Sequence, residues 1–254
     1  MDIQALRAFE DNYIWLLREG RCVVAVDPGD DSPVLRYLAD ENASLAAILL
    51  THHHGDHTGG VAGLIARHPA PVYGPANEPI ASITVPLREG DTVIPPGFKE
   101  NFRVLEVPGH TRGHIAYYGH GALFCGDTLF GCGCGRLFEG TAEQMWASLS
   151  KLAALPPDTK VFCAHEYTQS NIRFALAVEP GNVRLQERAG RVAQLRASEQ
   201  ATVPCTLAEE CETNPFLRCA EAEVAASAAR HCGTRLAGPN EVFAALREWK
   251  NSFR

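Results

Sequence analysis

The sequence predicts an α/β domain followed by a small all-helical domain. Three observations carry that expectation. Short apolar segments separated by turn residues fill the first two-thirds of the 254 residues. After Thr168 the pattern changes to helical periodicity with no convincing strand. The strongest apolar run, residues 43–50, has the length of a buried strand and falls well short of the ~20 residues of a membrane span. We therefore expect a catalytic domain over residues 1–165 and a helical domain over residues 166–254.

The elements follow in order. Residues 12–17 and 22–26 flank Arg18-Glu19-Gly20-Arg21 and read as a hairpin, and Asp27-Pro28-Gly29-Asp30 reads as a turn. Residues 33–41 look helical, and 46–50 form a continuous apolar run suited to a buried strand. Residues 104–107, 115–118, 123–125 and 161–164 are further strands. Between the last two, residues 141–155 carry Met145, Leu149, Leu152 and Leu155 on one stripe, with Thr141 as the cap. In the tail, residues 170–178, 183–199, 221–231 and 240–249 read as four helices. Breaks containing Pro180-Gly181, Pro204, Pro215 and Gly238-Pro239 separate them.

Composition removes several classes of function. The chain is 46% hydrophobic and 21% charged, as in ordinary folded domains. Its net charge of −7 falls entirely within residues 1–165, whereas 166–254 balance to zero. No Lys/Arg stripe is present to neutralise phosphates, which argues against a nucleic-acid partner. The N-terminal residues Asp2, Glu10 and Asp11 lack the basic-then-apolar layout of a signal peptide. Nine cysteines without a CxxC pair point to reduced thiols in the cytoplasm rather than a disulfide framework. We expect a monomer with no membrane partner.

The chemistry concentrates in Thr51-His52-His53-His54-Gly55-Asp56-His57, directly after the apolar run. That places the cluster at the carboxyl end of a strand, where α/β sheets bind ligands. In extended backbone alternate residues share a face, so His52 and His54 can meet one cation while His53 points away. Gly55 allows a change of direction, after which Asp56 and His57 face a second position. Four imidazoles and a carboxylate in six residues serve no packing need, and such donors suit zinc, iron or manganese. Three more candidates each follow a strand: His110, Asp127 and His165. Seven ligands suffice for two divalent ions, with His52, His54 and His110 on one and Asp56, His57 and His165 on the other. Asp127 would bridge them. His114 is either an orienting partner of a ligand or a structural residue. Cys132 and Cys134, in a Gly-rich stretch, read as small residues of a tight loop rather than as nucleophiles.

The order H-x-H-x-D-H, then His, Asp and His, resembles the metallo-β-lactamase superfamily. The run Gly133-Cys134-Gly135-Arg136-Leu137-Phe138-Glu139-Gly140-Thr141 is more specific. So are His165-Glu166-Tyr167-Thr168, Asn214-Pro215-Phe216-Leu217-Arg218 and Arg247-Glu248-Trp249-Lys250. Together they resemble the glyoxalase II, or hydroxyacylglutathione hydrolase, family across essentially the whole chain. The resemblance implies an αββα sandwich with a dinuclear site at its edge, and a helical domain that helps to hold glutathione. By position, Arg136, Tyr167, Arg247 and Lys250 match glutathione-binding residues. Phe138 stands where some relatives carry Tyr, so a hydroxyl contact made there elsewhere is absent. The implied reaction is hydrolysis of S-(2-hydroxyacyl)glutathione, typically S-D-lactoylglutathione, the second step of methylglyoxal detoxification.

Elementary chemistry agrees with that reaction. Zinc lowers the pKa of bound water from 15.7 to about 7, so a hydroxide positioned between two ions, with Asp56 and Asp127 among their ligands, can act as nucleophile at neutral pH. The leaving thiolate has a conjugate acid with a pKa near ~8.5 and departs without a strong general acid. A competing reading is a persulfide dioxygenase of the same superfamily. It would hold one iron through His52 or His54 with His110 and Asp127.

Overall fold

Alternating apolar residues in the first hundred positions need two buried faces, and the computed structural model, which describes residues 1–253, provides them on a six-stranded sheet. The chain divides into two compact units. The first comprises Met1–Glu106 and Thr111–Gly126, and the second comprises Val107–His110 and the chain from Asp127 onward.

In the first unit, β1 (Asp2–Ala8), β2 (Asn12–Glu19), β3 (Cys22–Val26), β4 (Ser44–Leu49), β5 (Val72–Pro75) and β6 (Val85–Leu87) form one sheet in sequential order. β1, β2 and β3 pair antiparallel, and β3 to β6 run parallel. Parallel neighbours require crossovers. Helix α1 (Asp31–Asp40) links β3 to β4, and α2 (Gly55–Thr58) and α3 (Val61–Arg67) link β4 to β5. Asp30 caps α1 by accepting the Ser32 N–H at 2.9 Å.

Side-chain parity then divides the strands. Ile14, Leu16, Val23, Ala25, Ile48 and Leu50 pack with Val34, Leu38, Val61 and Leu64 of α1 and α3. Trp15, Leu17, Val24, Val26, Ala47 and Leu49 alternate with them and are also buried. A second, antiparallel run accompanies this sheet: β7 (Thr92–Val93), β8 (Phe102–Glu106), β9 (Ile115–Gly119) and β10 (Ala122–Gly126). Tyr117 of β9 donates its hydroxyl to the Leu50 carbonyl at 2.8 Å. Burial pushes that phenol's pKa well up, so it remains a donor.

The second unit opens with the hairpin β11 (Leu129–Phe130) and β12 (Gly133–Cys134), then α4 (Ala142–Ala153) and β13 (Lys160–Cys163). Helices α5 (Thr168–Val178) and α6 (Val183–Ala197) follow, then β14 (Cys205–Thr206), α7 (Leu207–Thr213), α8 (Ala222–Cys232) and α9 (Pro239–Ser252). Thr141 and Gln144 close a reciprocal capping box on α4, as Thr141 promised. Phe174, Phe216 and Phe243 form a continuous aromatic core within this unit, with Trp146 and Trp249 against its ends.

The tail departs from its expected all-helical character at one place. Residues 205–206 form a strand, antiparallel to β13 in the register Lys160↔Thr206 and Val161↔Cys205. Two residues paired with a partner far away in sequence leave no periodic signal. The seven-residue helix α7 that follows is also too short to announce itself.

Candidate metal centre

The first unit holds four of the seven expected ligands. β3 and β4 are parallel neighbours, so their carboxyl ends lie side by side and bring Asp27 against Thr51. Asp27 sits in the left-handed region, φ 49°. Its carboxylate accepts the Thr51 N–H at 2.8 Å and the Thr51 hydroxyl at 2.7 Å. His57 Nδ1 lies 3.0 Å from Asp27 Oδ2. A carboxylate on Nδ1 fixes the ring and leaves Nε2 as the ligand atom. By its local sequence Asp27 is an ordinary turn residue. Its signal was the parallel pairing of the strand before it with the strand before the histidines.

The histidine triplet divides by alternation, as expected. His52 Nε2 lies 3.0 Å from His54 Nδ1, and the His52 ring stacks on His114 at 4.6 Å. His53 turns instead to the buried carboxylate of Glu78. Asp56 Oδ2 lies 3.5 Å from His57 Nε2 and accepts the Asn12 side-chain N–H at 2.9 Å. The turn after β3 approaches this segment so closely that a Cβ on Gly29 would stand 1.8 Å from the Asp56 carbonyl oxygen. Only glycine is compatible with that approach.

The second unit holds His110, Asp127 and His165, all buried. Asp127 presents one oxygen to each imidazole. Oδ2 lies 3.3 Å from His110 Nε2, and Oδ1 lies 3.4 Å from His165 Nε2. His110 Nδ1 lies 2.8 Å from the Arg136 carbonyl oxygen, which directs Nε2 toward Asp127. The Tyr167 ring stacks on His165 at 4.7 Å. Phe138 is 63% exposed and turns its edge to His110 at 5.2 Å.

These donor sets suit a cation. Ligand atoms bound to one zinc ion at ~2.0–2.1 Å stand ~3.3 Å apart in a tetrahedral shell. The four ligand pairs above, at 3.0, 3.5, 3.3 and 3.4 Å, have that spacing within their own units.

The expected glutathione contacts all belong to the second unit, in different settings. The Arg136 side chain is exposed. Arg247 is only 4% exposed. It donates from Nη1 to the carbonyls of Cys134 at 2.9 Å and Gly135 at 3.4 Å, with its guanidinium over Phe216. Lys250, half-buried, donates from Nζ to the Ser170 carbonyl at 3.3 Å and lies over Phe174. Burial, then Arg247 and Arg173, lower its pKa to about 8. The loop thiols of Cys132 and Cys134 are buried. Burial pushes those of Cys132 and Cys134 up, and that of Cys163 up to about 12, so each stays protonated near neutrality.

Comparison with known proteins matches the chain in two stretches. Residues 8–165 match the metallo-beta-lactamase superfamily, and residues 166–253 match the hydroxyacylglutathione hydrolase C-terminus. The hydroxyacylglutathione hydrolase of Cupriavidus taiwanensis is 54% identical over 266 residues, covering 100% of both chains. That of Nitrosomonas eutropha is 51% identical over 254 residues, again with 100% of each covered. Among solved structures, ETHE1 from Myxococcus xanthus superposes with a TM-score of 0.68 at 27% identity, covering 98% of each chain. TTHA1623 in a di-iron-bound form superposes with a TM-score of 0.54 at 32% identity, over 65% of this chain and 92% of that one.

Proposed function

The chain belongs to the hydroxyacylglutathione hydrolase family of the metallo-β-lactamase superfamily, and from that premise we propose that it hydrolyses S-(2-hydroxyacyl)glutathione at a dinuclear centre, yielding glutathione and a 2-hydroxy acid. The observation that carries the reading is Asp127, a buried carboxylate with an imidazole nitrogen beside each oxygen. A carboxylate so flanked is suited to two ions at once. We assign His52, His54 and His110 to one ion, Asp56, His57 and His165 to the other, and Asp127 to both. Zinc suits these nitrogen and oxygen donors, and iron or manganese would also be accepted.

Bound there, divalent ions would supply Lewis acidity toward the thioester carbonyl and the means to deprotonate water at neutral pH. The chain's own residues hold the apparatus in register. Asp27 orients His57, and the Arg136 carbonyl orients His110. Asn12 holds Asp56 from the side. Arg136, Phe138, Tyr167, Arg247 and Lys250 are proposed to receive the glutathione part, with the exposed Arg136 and half-buried Lys250 offering charge to its carboxylates. Thiolate departure asks no general acid of the protein.

The remaining parts of the reading are a monomer, a cytoplasmic location and no nucleic-acid or membrane partner. The net charge of −7 supports the third, and no helix among the described residues is long and apolar enough to cross a membrane. The test is metal analysis of the purified protein coupled to turnover of S-D-lactoylglutathione, before and after chelation and metal restoration. Two ions per chain, with activity lost and regained alongside them, is the expected result. One ion, together with oxygen uptake on a persulfide, would overturn the proposal in favour of a dioxygenase.

A further inference from the structure

Glu78 lies in the turn after β5, outside every ligand motif, yet its buried carboxylate joins two loops that the sequence separates widely. Oε2 accepts the His53 backbone N–H at 3.2 Å and takes the His53 ring through Nδ1. Oε1 accepts the Thr111 hydroxyl at 2.7 Å and the Gly113 N–H at 2.7 Å. Each oxygen therefore serves one loop and carries two donors. The turn that carries Glu78 packs tightly on the second of these loops: a Cβ on Gly113 would stand 2.7 Å from the Asn77 carbonyl oxygen and 2.9 Å from Glu78 Cγ.

The identity of those loops gives the arrangement its meaning. His53 lies between His52 and His54 in the chain, and Thr111 directly follows His110. Two of the donors on Glu78 are backbone N–H groups, so the carboxylate restrains main-chain paths as well as side chains. It also takes up the His53 imidazole, which would otherwise compete with its neighbours for a cation.

We propose that Glu78 is a positioning residue for one of the two ions, the one assigned to His52, His54 and His110, with His53 as its anchor. The proposal rests on the dinuclear reading above. It makes the role of Glu78 selective, because its donors sit on His53, between His52 and His54, and on Thr111 and Gly113, just after His110, whereas Asp56 and His57 lie further along the first loop and His165 on neither. Partners that orient metal ligands typically contribute 10- to 100-fold to metal affinity.

Glu78→Gln is the informative variant. The amide must set its NH₂ against one pair of donors, and each pair includes a backbone N–H that cannot reverse its role. Zinc-loaded wild type and variant are dialysed against graded chelator, and bound zinc is counted. Wild type should release its ions near one chelator strength. Glu78→Gln should lose one equivalent at 10- to 100-fold lower chelator activity and keep the second. In the cobalt-substituted protein, the visible bands of only one site should fade over that range. Thr111→Val preserves volume and removes a single donor, so it guards against a misfolded Gln variant; it should shift the same equivalent several-fold. Melting of the metal-stripped proteins serves as the control for general destabilisation.

Equal loosening of both ions in both variants, tracking a lower melting temperature of the stripped protein, would overturn the proposal and leave Glu78 a loop staple. Unchanged retention would also overturn it. A wild type that never holds two ions would overturn the dinuclear reading instead, and is distinguishable because it appears before any mutation is made.

Discussion

Asp127 is the residue on which both halves of the proposed centre depend. Its oxygens diverge toward different imidazoles, so Asp127→Ala should lower occupancy at both positions, not one. Metal analysis checks this, and two tightly held ions with normal turnover would contradict it. Lys250 gives a second prediction, with a pH sign. Burial and the cations Arg247 and Arg173 hold its pKa down at about 8. The ammonium is charged below that value and neutral above it. If it grips a glutathione carboxylate, KM should rise between pH 7 and 9 with metal content constant. Lys250→Arg stays charged and should flatten that rise. Lys250→Ala should raise KM at pH 7 by roughly 5- to 10-fold, about 1–1.4 kcal/mol for one charge-assisted bond. The seven ligand candidates were legible in the sequence because each follows an apolar run, and alternation separated His53 from its neighbours. Asp27 and Glu78 were not legible: their partners lie 24 or more positions away, and only the paired strands bring them close.

At the scale of elements, legibility followed length and capping. Helix α4 declared itself through its apolar stripe and Thr141, and the capping box is present. Thr141→Ala should cost about 1 kcal/mol, lowering the melting temperature by ~2–4 °C, with KM unchanged; scanning calorimetry and steady-state kinetics measure the two. A larger loss would mean that the cap also supports the segment just before it. Strand β14 and its pairing with β13 were invisible by contrast, since only two residues of β14 pair and their partners are contributed from far upstream. Four helices of the tail, α5, α6, α8 and α9, were read to within a few residues because each buries one face. The network that fixes the loop between β11 and β12 was not read. There the buried Glu210 accepts the Cys132 N–H at 2.9 Å and the Asn214 side-chain amide at 2.8 Å, contacts that local pattern cannot reveal.

Across the whole molecule, charge and family agree on where the chemistry lies, since the net negative charge falls in the part that supplies every proposed ligand. The sheet of β1 to β6, moreover, has two unlike ends. At its carboxyl end the backbone is crowded to the point that Gly29 admits no side chain. At the opposite end, the β2–β3 turn at Gly20 and Arg21 is exposed, and a Cβ on Gly20 would meet nothing within 4 Å. A short peptide inserted between Gly20 and Arg21 should therefore leave kcat and KM within two-fold of the parent, whereas the same insertion beside Gly29 should abolish metal retention. That asymmetry gives the enzyme a natural handle. A dye, a bead or a solid support attached through the Gly20 turn would be carried at the blunt end of the sheet, so the protein could be immobilised or imaged without disturbing its chemistry.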